Sequence, residues 1–436
     1  MNLLILVTIG VMLLMLAEVP VAFAFCLGSF LLAIIYGLDL PGLVMGAIRL
    51  LNAYIFLTLP LFILLGTLMN SSGLATRLIA FVNSIVGRMK GGLGIVLIVT
   101  NTIFGAMCGI ATSALATLGT IMIPEMEKAG YPKGHSTGFA VNSCVLSLLI
   151  PPSGSMILFG FVARVSIPLL FAATLIPGLI LAVLLSIVNI IMCRNMTTIK
   201  LFPRASFSEK SKEVVRTGKE GFFVILMPVV ILGGLYSGIF TPTEAASIAV
   251  VYALIIGLVV YRTLKFRQLW EAVADAGRIA GTMIIVFFFF FIMSRVLISE
   301  QVPSLILEFM LSISDSQVIL LLLLNVVLFI TGMFMEDTSG LLLAAIFYLP
   351  VAKAIGVDPI HFGAIVGVNL GLGLITPPVA PILYFGGVVA GGLPLREYVK
   401  PVIYGILFGY IPVLAIVTYI PAVSLTLPHL IMALRG

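Results

Sequence analysis

NSCVLSLLIPPSG at residues 142–154 and NLGLGLITPPVAP at residues 369–381 share one plan: an Asn, an apolar run, then a Pro-Pro pair inside a long apolar segment. Proline lacks an N–H and clashes with the preceding turn, so Pro151-Pro152 and Pro377-Pro378 each break a helix. One such pair is an ordinary kink, but two at matching places are a pattern. At a constant offset of 226 residues, Thr112-Ser113 falls on Thr338-Ser339, Pro124 on Pro350, Gly130 on Gly356, His135 on His361 and Phe159-Gly160 on Phe385-Gly386. The chain therefore reads as two repeated halves.

Composition sets the solvent for both. Of 436 residues, 61% are apolar and 9% charged, where soluble domains carry about 45–50% and about 25%. A soluble enzyme, a disordered chain and a nucleic-acid binder are excluded. A span takes roughly 20 apolar residues, so the chain can cross a bilayer about ten times. The net charge of +6 is then an orientation signal, because Lys and Arg gather in cytoplasmic loops. The four cysteines lie in apolar stretches without C-x-x-C spacing, which argues against disulfides or zinc. MNLLILVTIG at the start lacks a basic flank and runs on into apolar sequence. It reads as a retained first span.

The expected fold is an all-α polytopic membrane protein of two inverted repeats with re-entrant hairpins and broken helices. The first repeat, 1–194, has scaffold spans within 3–70 (3–17, 20–36 and 44–70), an amphipathic arm at 74–90, a hairpin at 93–129, a broken helix at 135–165 and a span at 168–194. A polar linker at 195–220 follows, with six Lys and Arg of its own and Arg194 just before it, and is placed in the cytoplasm. The second repeat, 221–436, has spans within 221–300 (221–240, 242–262 and 279–300), an arm at 303–312, a hairpin at 317–355, a broken helix at 360–391 and a span at 400–428. Each half crosses an odd number of times in this count, which inverts the second half. Arg262, Lys265, Arg267 and Arg278 then also fall on the cytoplasmic side.

Inverted repeats with paired broken helices point to a secondary transporter. A break near the midplane frees N–H and C=O groups, tolerable only where they line a cavity. The first hairpin tip reads FGAMCGIATSALATLG (104–119), with small residues for close backbone approach and the hydroxyls of Thr112 and Ser113. The second reads TGMFMEDTSG (331–340), with Glu336, Asp337, Thr338 and Ser339. Asn142 and Asn369 precede the double prolines. Such oxygen-rich, nearly neutral sites suit a monovalent cation such as sodium. Two readings stay open for Asp337: a buried functional acid, or a hairpin tip in water. Thr241-Pro242-Thr243-Glu244 is better explained as a capping box than as a site. For His135 and His361 a capping or interfacial role is favoured over proton relay. Arg295 is expected to snorkel outward, and Arg164 is the other base near the expected cavity.

The sequence resembles the large membrane subunit of tripartite ATP-independent periplasmic (TRAP) transporters over essentially its whole length. The resemblance rests on LPLFILLGTLMNSSGL (59–74), GTIMIPEMEKAGYP (119–132), GIFTPTEAA (238–246), DTSGLLLAAIFYLPVAKAIGVDPIHFG (337–363) and GLITPPVAPIL (373–383). It implies an elevator-type transporter of the bacterial inner membrane, sodium coupling, a small four-helix membrane partner, a periplasmic substrate-binding protein, and a small organic anion, carboxylate or sulfonate, as cargo. Gly109, Ser143, Asp337, Thr338, Asn369, Thr376, Pro377 and Pro378 match the family pattern. Cys108-Gly109-Ile110 stands where the family commonly has Ser-Gly-Ser. The candidate substrate- and ion-binding set is Cys108, Gly109, Thr112, Ser113, Asn142, Ser143, Ser153, Gly332, Asp337, Thr338, Asn369 and Thr376, with the four prolines as helix breaks. No catalytic residue, resident metal or cofactor is expected, only sodium as coupling ion. A stand-alone divalent-anion/sodium symporter is the alternative. An intramembrane enzyme is disfavoured, because no Ser/His, Asp/Asp or H-E-x-x-H pattern lies in the spans.

Overall fold

The computed structural model describes residues 2–17, 19–200 and 207–435, and all regular structure among them is helical. The chain opens with α1 (Asn2–Leu16), α2 (Val21–Ile35) and α3 (Leu40–Leu51). A 3-10 turn at Tyr54–Leu57 leads into α4 (Thr58–Ser71) and the arm α5 (Leu74–Val86). The first hairpin is α6 (Gly92–Cys108), α7 (Ala111–Ala114), a π turn at Leu115–Gly119 and α8 (Thr120–Lys128), which returns against α6. The first broken helix is α9 (Lys133–Cys144), α10 (Leu146–Leu149) and α11 (Gly154–Ala163), followed by α12 (Ile167–Cys193).

The second half has α13 (Phe207–Glu220), α14 (Phe222–Tyr236), α15 (Pro242–Ile255), α16 (Phe266–Ser299) and the arm α17 (Val302–Ile313). Its hairpin is α18 (Gln317–Phe334), α19 (Asp337–Leu343), a π turn at Ala344–Tyr348 and α20 (Leu349–Ala354). Its broken helix is α21 (Pro359–Gly373) and α22 (Pro381–Val389). Then come α23 (Leu395–Gly405), a π turn at Ile406–Tyr410, α24 (Ile411–Tyr419) and α25 (Pro421–Arg435). Eight helices among the described residues are long and apolar enough to cross a membrane.

The boundaries differ from the sequence reading in four places. The stretch 44–70 is not one span: α3 ends at Leu51 and the chain re-enters a helix after Ala53, which has extended ψ 133. Asp39 caps α3 by accepting from the Gly42 N–H, 3.1 Å. The span expected at 279–300 is the end of the 34-residue α16, about 51 Å long at 1.5 Å per residue and longer than the ~30 Å hydrocarbon core. The linker at 195–220 contains the amphipathic α13, bent 65° from α14, and residues 201–206 of it lie outside the described part. The stretch 400–428 divides at Ile420 (φ −123, ψ 83), where Pro421 starts a new helix. The expected capping box is present: the Glu244 carboxylate accepts from the Thr241 N–H at 2.8 Å.

The helices pack as two groups. One is built on α16, which lies against α2, α3 and α4, with α15 also on α4. The hydroxyls of Thr58 and Thr243, 2.7 Å apart, tie this group across the two halves. Amphipathic α13 covers the arm α5, where the Thr217 hydroxyl donates to Ser84 Oγ; on the same arm Arg77 stacks 3.9 Å from the ring centre of Tyr261, which follows α15. The second group contains the hairpins and broken helices. In the span Lys133–Ala163, 89% of the most apolar window is buried, against 39% in Ile167–Cys193. The interrupted helix is thus the interior one, and its free backbone groups are satisfied by protein rather than lipid.

Close approach in this interior depends on small residues. A Cβ on Gly373 would come within 2.6 Å of Gly332 Cα, where α21 crosses α18. Gly373→Val forces the two backbones apart and should cost about 1–3 kcal/mol, as overpacking does. The expected result is a lower unfolding temperature of the purified chain; an unchanged one would contradict the contact.

Candidate functional site

The two breaks are built alike from backbone. Ile150 before Pro151 is extended (ψ 122), because proline disfavours a helical predecessor. The two prolines also place no N–H donor where the helix stops. Beyond the first break the Gly154 N–H donates to the Gly109 carbonyl of the first hairpin tip, 3.2 Å. At the same repeat position beyond the second break, the Ala380 N–H donates to the Met333 carbonyl of the second tip, 3.1 Å. Each tip is therefore pinned to the break of its own half. Gly109 has φ 63, and a Cβ there would overlap the Pro152 carbonyl oxygen. Only glycine fits at that corner.

The halves also interlock. α19, at the second tip, packs on α11, beyond the first break. Reciprocally, α22, beyond the second break, packs on α7 and the π turn at the first tip. At the α11–α19 junction Asp337 is buried, 6% exposed, so it does not stand in water at a hairpin tip. Ser155 on α11 donates its hydroxyl to Asp337 Oδ2 at 3.0 Å and lies 3.4 Å from Thr338 Oγ1. Thr338 donates to Asp337 Oδ1 at 3.3 Å. The carboxyl also begins the helix Asp337–Ala354, where the helix dipole favours negative charge. Ser155 is absent from the sequence-derived set.

The other candidates fall into distinct roles. Thr112 and Ser113 are half-buried and line a cavity of about 140 Å³ with Thr67 and Asn70 of α4, Ile279 of α16 and Phe385 of α22. This cavity lies between the two packed groups. Cys108 is buried at the end of α6. Ser153 caps α11, accepting from the Met156 N–H at 3.4 Å. Ser143 receives the Asn101 amide at 2.8 Å. Asn369 donates to Asn325 Oδ1 at 2.7 Å and to the Asn325 carbonyl at 3.0 Å.

Asn142 faces elsewhere: its side-chain amide donates to the Pro401 carbonyl at 3.1 Å and its backbone carbonyl accepts from the Tyr410 hydroxyl. At the 226-residue offset Ser143, not Asn142, corresponds to Asn369. Gly332 serves the α18–α21 crossing, and Thr376 donates back to the Leu372 carbonyl at 2.8 Å. Pro151 and Pro152 are buried, whereas Pro377 and Pro378 are exposed. The Asn101, Asn142 and Asn369 amide oxygens and the Ser339 hydroxyl are buried without a hydrogen-bond partner.

Charge is one-sided here. The segments 104–119, 142–155, 331–345 and 369–385 contain Glu336 and Asp337 and no Lys or Arg. Arg164 is exposed at the far end of the ten-residue α11, about 15 Å along the axis from the break at 1.5 Å per residue. Arg295 is exposed on α16.

A buried meeting point of two hairpin tips and two broken helices, inside a bundle with eight candidate spans, is the architecture of a multi-pass membrane transporter. The fold is that of a solved transporter: the crystal structure of the Alcanivorax borkumensis YdaH transporter superposes with a TM-score of 0.63 at 14% identity, over 93% of this chain and 100% of that one. The chain belongs to the family described as tripartite ATP-independent periplasmic transporter, DctM component, whose model matches residues 8–423. It is 36% identical to the C4-dicarboxylate TRAP transporter large permease protein DctM of Pseudomonas aeruginosa, over 86% of each chain. It is also 36% identical to the sialic acid TRAP transporter large permease protein SiaM of Vibrio cholerae, over 88% of each. The chain is a transporter permease, not an enzyme.

The Ser155–Asp337 bond joins the halves at the buried acid, so its loss should loosen α19 first. Ser155→Ala removes one hydrogen bond to a carboxyl, about 1.5 kcal/mol. Hydrogen exchange over 337–343 should then rise about tenfold, while Ser155→Thr keeps the wild-type rate. Equal exchange in Ser155→Ala and wild type would contradict the assignment.

Proposed function

We propose that this permease is a sodium-coupled importer of a small organic anion, carboxylate or sulfonate, which a periplasmic binding protein delivers and a small four-helix membrane subunit accompanies. The observation that carries the reading is the charge of the site. The tips and breaks hold two acids and no base, so an anion gains no side-chain cation there. Its attraction must come from backbone N–H groups at half-helix N-termini and from cations bound beside it. Sodium supplies that charge, and buried oxygens without donors suit it: Asn101 and Asn369 Oδ1, and Ser339 Oγ two residues beyond Asp337. Coupling follows, because cation and anion each bind poorly alone. The names of the relatives from Pseudomonas aeruginosa and Vibrio cholerae, for a C4-dicarboxylate and for sialic acid, support an organic acid as the cargo class.

The mechanism that fits is movement of the hairpins and broken helices as one body against the group built on α16. The interlock of α11 with α19 and of α22 with α7 supports a single moving unit. The hydroxyl-lined cavity against α4 supports a site at its boundary.

The test is uptake of candidate acids into proteoliposomes holding both membrane subunits, with the binding protein present or absent. Uptake should need an inward sodium gradient and the binding protein. Asp337→Ala and Asn369→Ala should each lower it at least about tenfold, the effect of about 1.4 kcal/mol, with normal expression. Uptake without sodium would overturn the coupling, and sodium-driven uptake without the binding protein would favour a stand-alone symporter.

A further inference from the structure

Away from the helix breaks, a groove of about 1130 Å³ runs between the start of α9, the C-terminal half of α12 and the α23–π-turn segment. Its walls are apolar: Leu184, Ile187 and Ile191 on α12 face Tyr404 and Phe408 across it. Ile187, Ile191 and Phe408 are 45%, 65% and 56% exposed, so the groove is open to the side. One end is polar, with Lys133 and Lys400 lining it beside Asn195. Neither lysine has an ion-pair partner among the described residues, and one acid, Glu397, shares the rim. That end is where α12 runs into the basic stretch from Arg194 to Lys219, the cytoplasmic side by the positive-inside rule.

Length fixes the kind of occupant. From Leu184 to Asn195 the wall rises about 16 Å at 1.5 Å per residue, close to the ~15 Å of one leaflet's hydrocarbon. An apolar trough one leaflet deep, with two unpaired cations at the water boundary, matches an acyl chain under a negatively charged headgroup. We propose that this groove is a binding site for one anionic phospholipid of the cytoplasmic leaflet, with its tail along α12 and α23 and its phosphate on Lys133 and Lys400.

The full chain is purified into nanodiscs of phosphatidylcholine alone or with phosphatidylglycerol. Phosphatidylglycerol should raise the wild-type unfolding temperature by about 3 °C or more through preferential binding. K133A/K400A should lose that difference. K133R/K400R, and K210A/K212A on the exposed face of α13, should keep it. Native mass spectrometry should find phosphatidylglycerol retained on the wild type at least about fivefold over phosphatidylcholine. Exposed Lys400 allows K400A alone, which keeps its packing, to be compared there, with retention expected to fall. Equal retention of the two lipids, full retention by K400A together with an unaltered shift in K133A/K400A, or inorganic phosphate reproducing the shift in phosphatidylcholine would each overturn the proposal.

Discussion

A helix that stops inside a bilayer must give its free backbone groups to something other than lipid. Everything central to this molecule answers that constraint. The double prolines reduce the donors to be satisfied, and the second N–H beyond each pair reaches a hairpin carbonyl of its own half, Gly154 to Gly109 and Ala380 to Met333. The hairpins exist to meet the breaks, and the breaks are tolerable because the hairpins are there. Burial follows: the broken helix is the most enclosed span, while uninterrupted helices such as α12 lie at the periphery.

The same constraint places chemistry. Polar atoms that would be costly in lipid are affordable where four chain interruptions converge, so the buried hydroxyls, amides and Asp337 gather there. The two halves are not equivalent at this point. Asp337 is latched by Ser155, but the repeat positions of those residues are Ala111 and Pro381, which can form no such bond. One break is buried and the other exposed. A symmetric frame thus carries an asymmetric site.

Much of this was legible in the sequence because it is local. Pro-Pro pairs, the capping box at Thr241 and Glu244, and the hairpin tips are signalled within a few residues. The matched helix starts, Leu40 with Phe266 and Lys133 with Pro359, keep the 226-residue offset of the motifs. What was not legible is long-range. Ser155 gave no sign, because its partner lies 182 residues away and has no repeat counterpart to flag it. Asn142 invited pairing with Asn369 by its place before the prolines, yet it sits one residue out of register and serves α23. The linker read as a loop from its charge, and α13 forms because its apolar side covers α5. The end of α3 at Leu51 has no proline or glycine beside it to announce it, whereas Pro421 marks the break at Ile420.

The central claim is that the buried junction around Asp337 holds the coupling ion. Equilibrium binding of radiolabelled sodium to the purified chain tests it most directly. Wild type should bind saturably, and Asp337→Asn, which keeps size and loses charge, should reduce the affinity at least about tenfold. Sodium binding by Asp337→Asn with the wild-type affinity and stoichiometry would contradict the account.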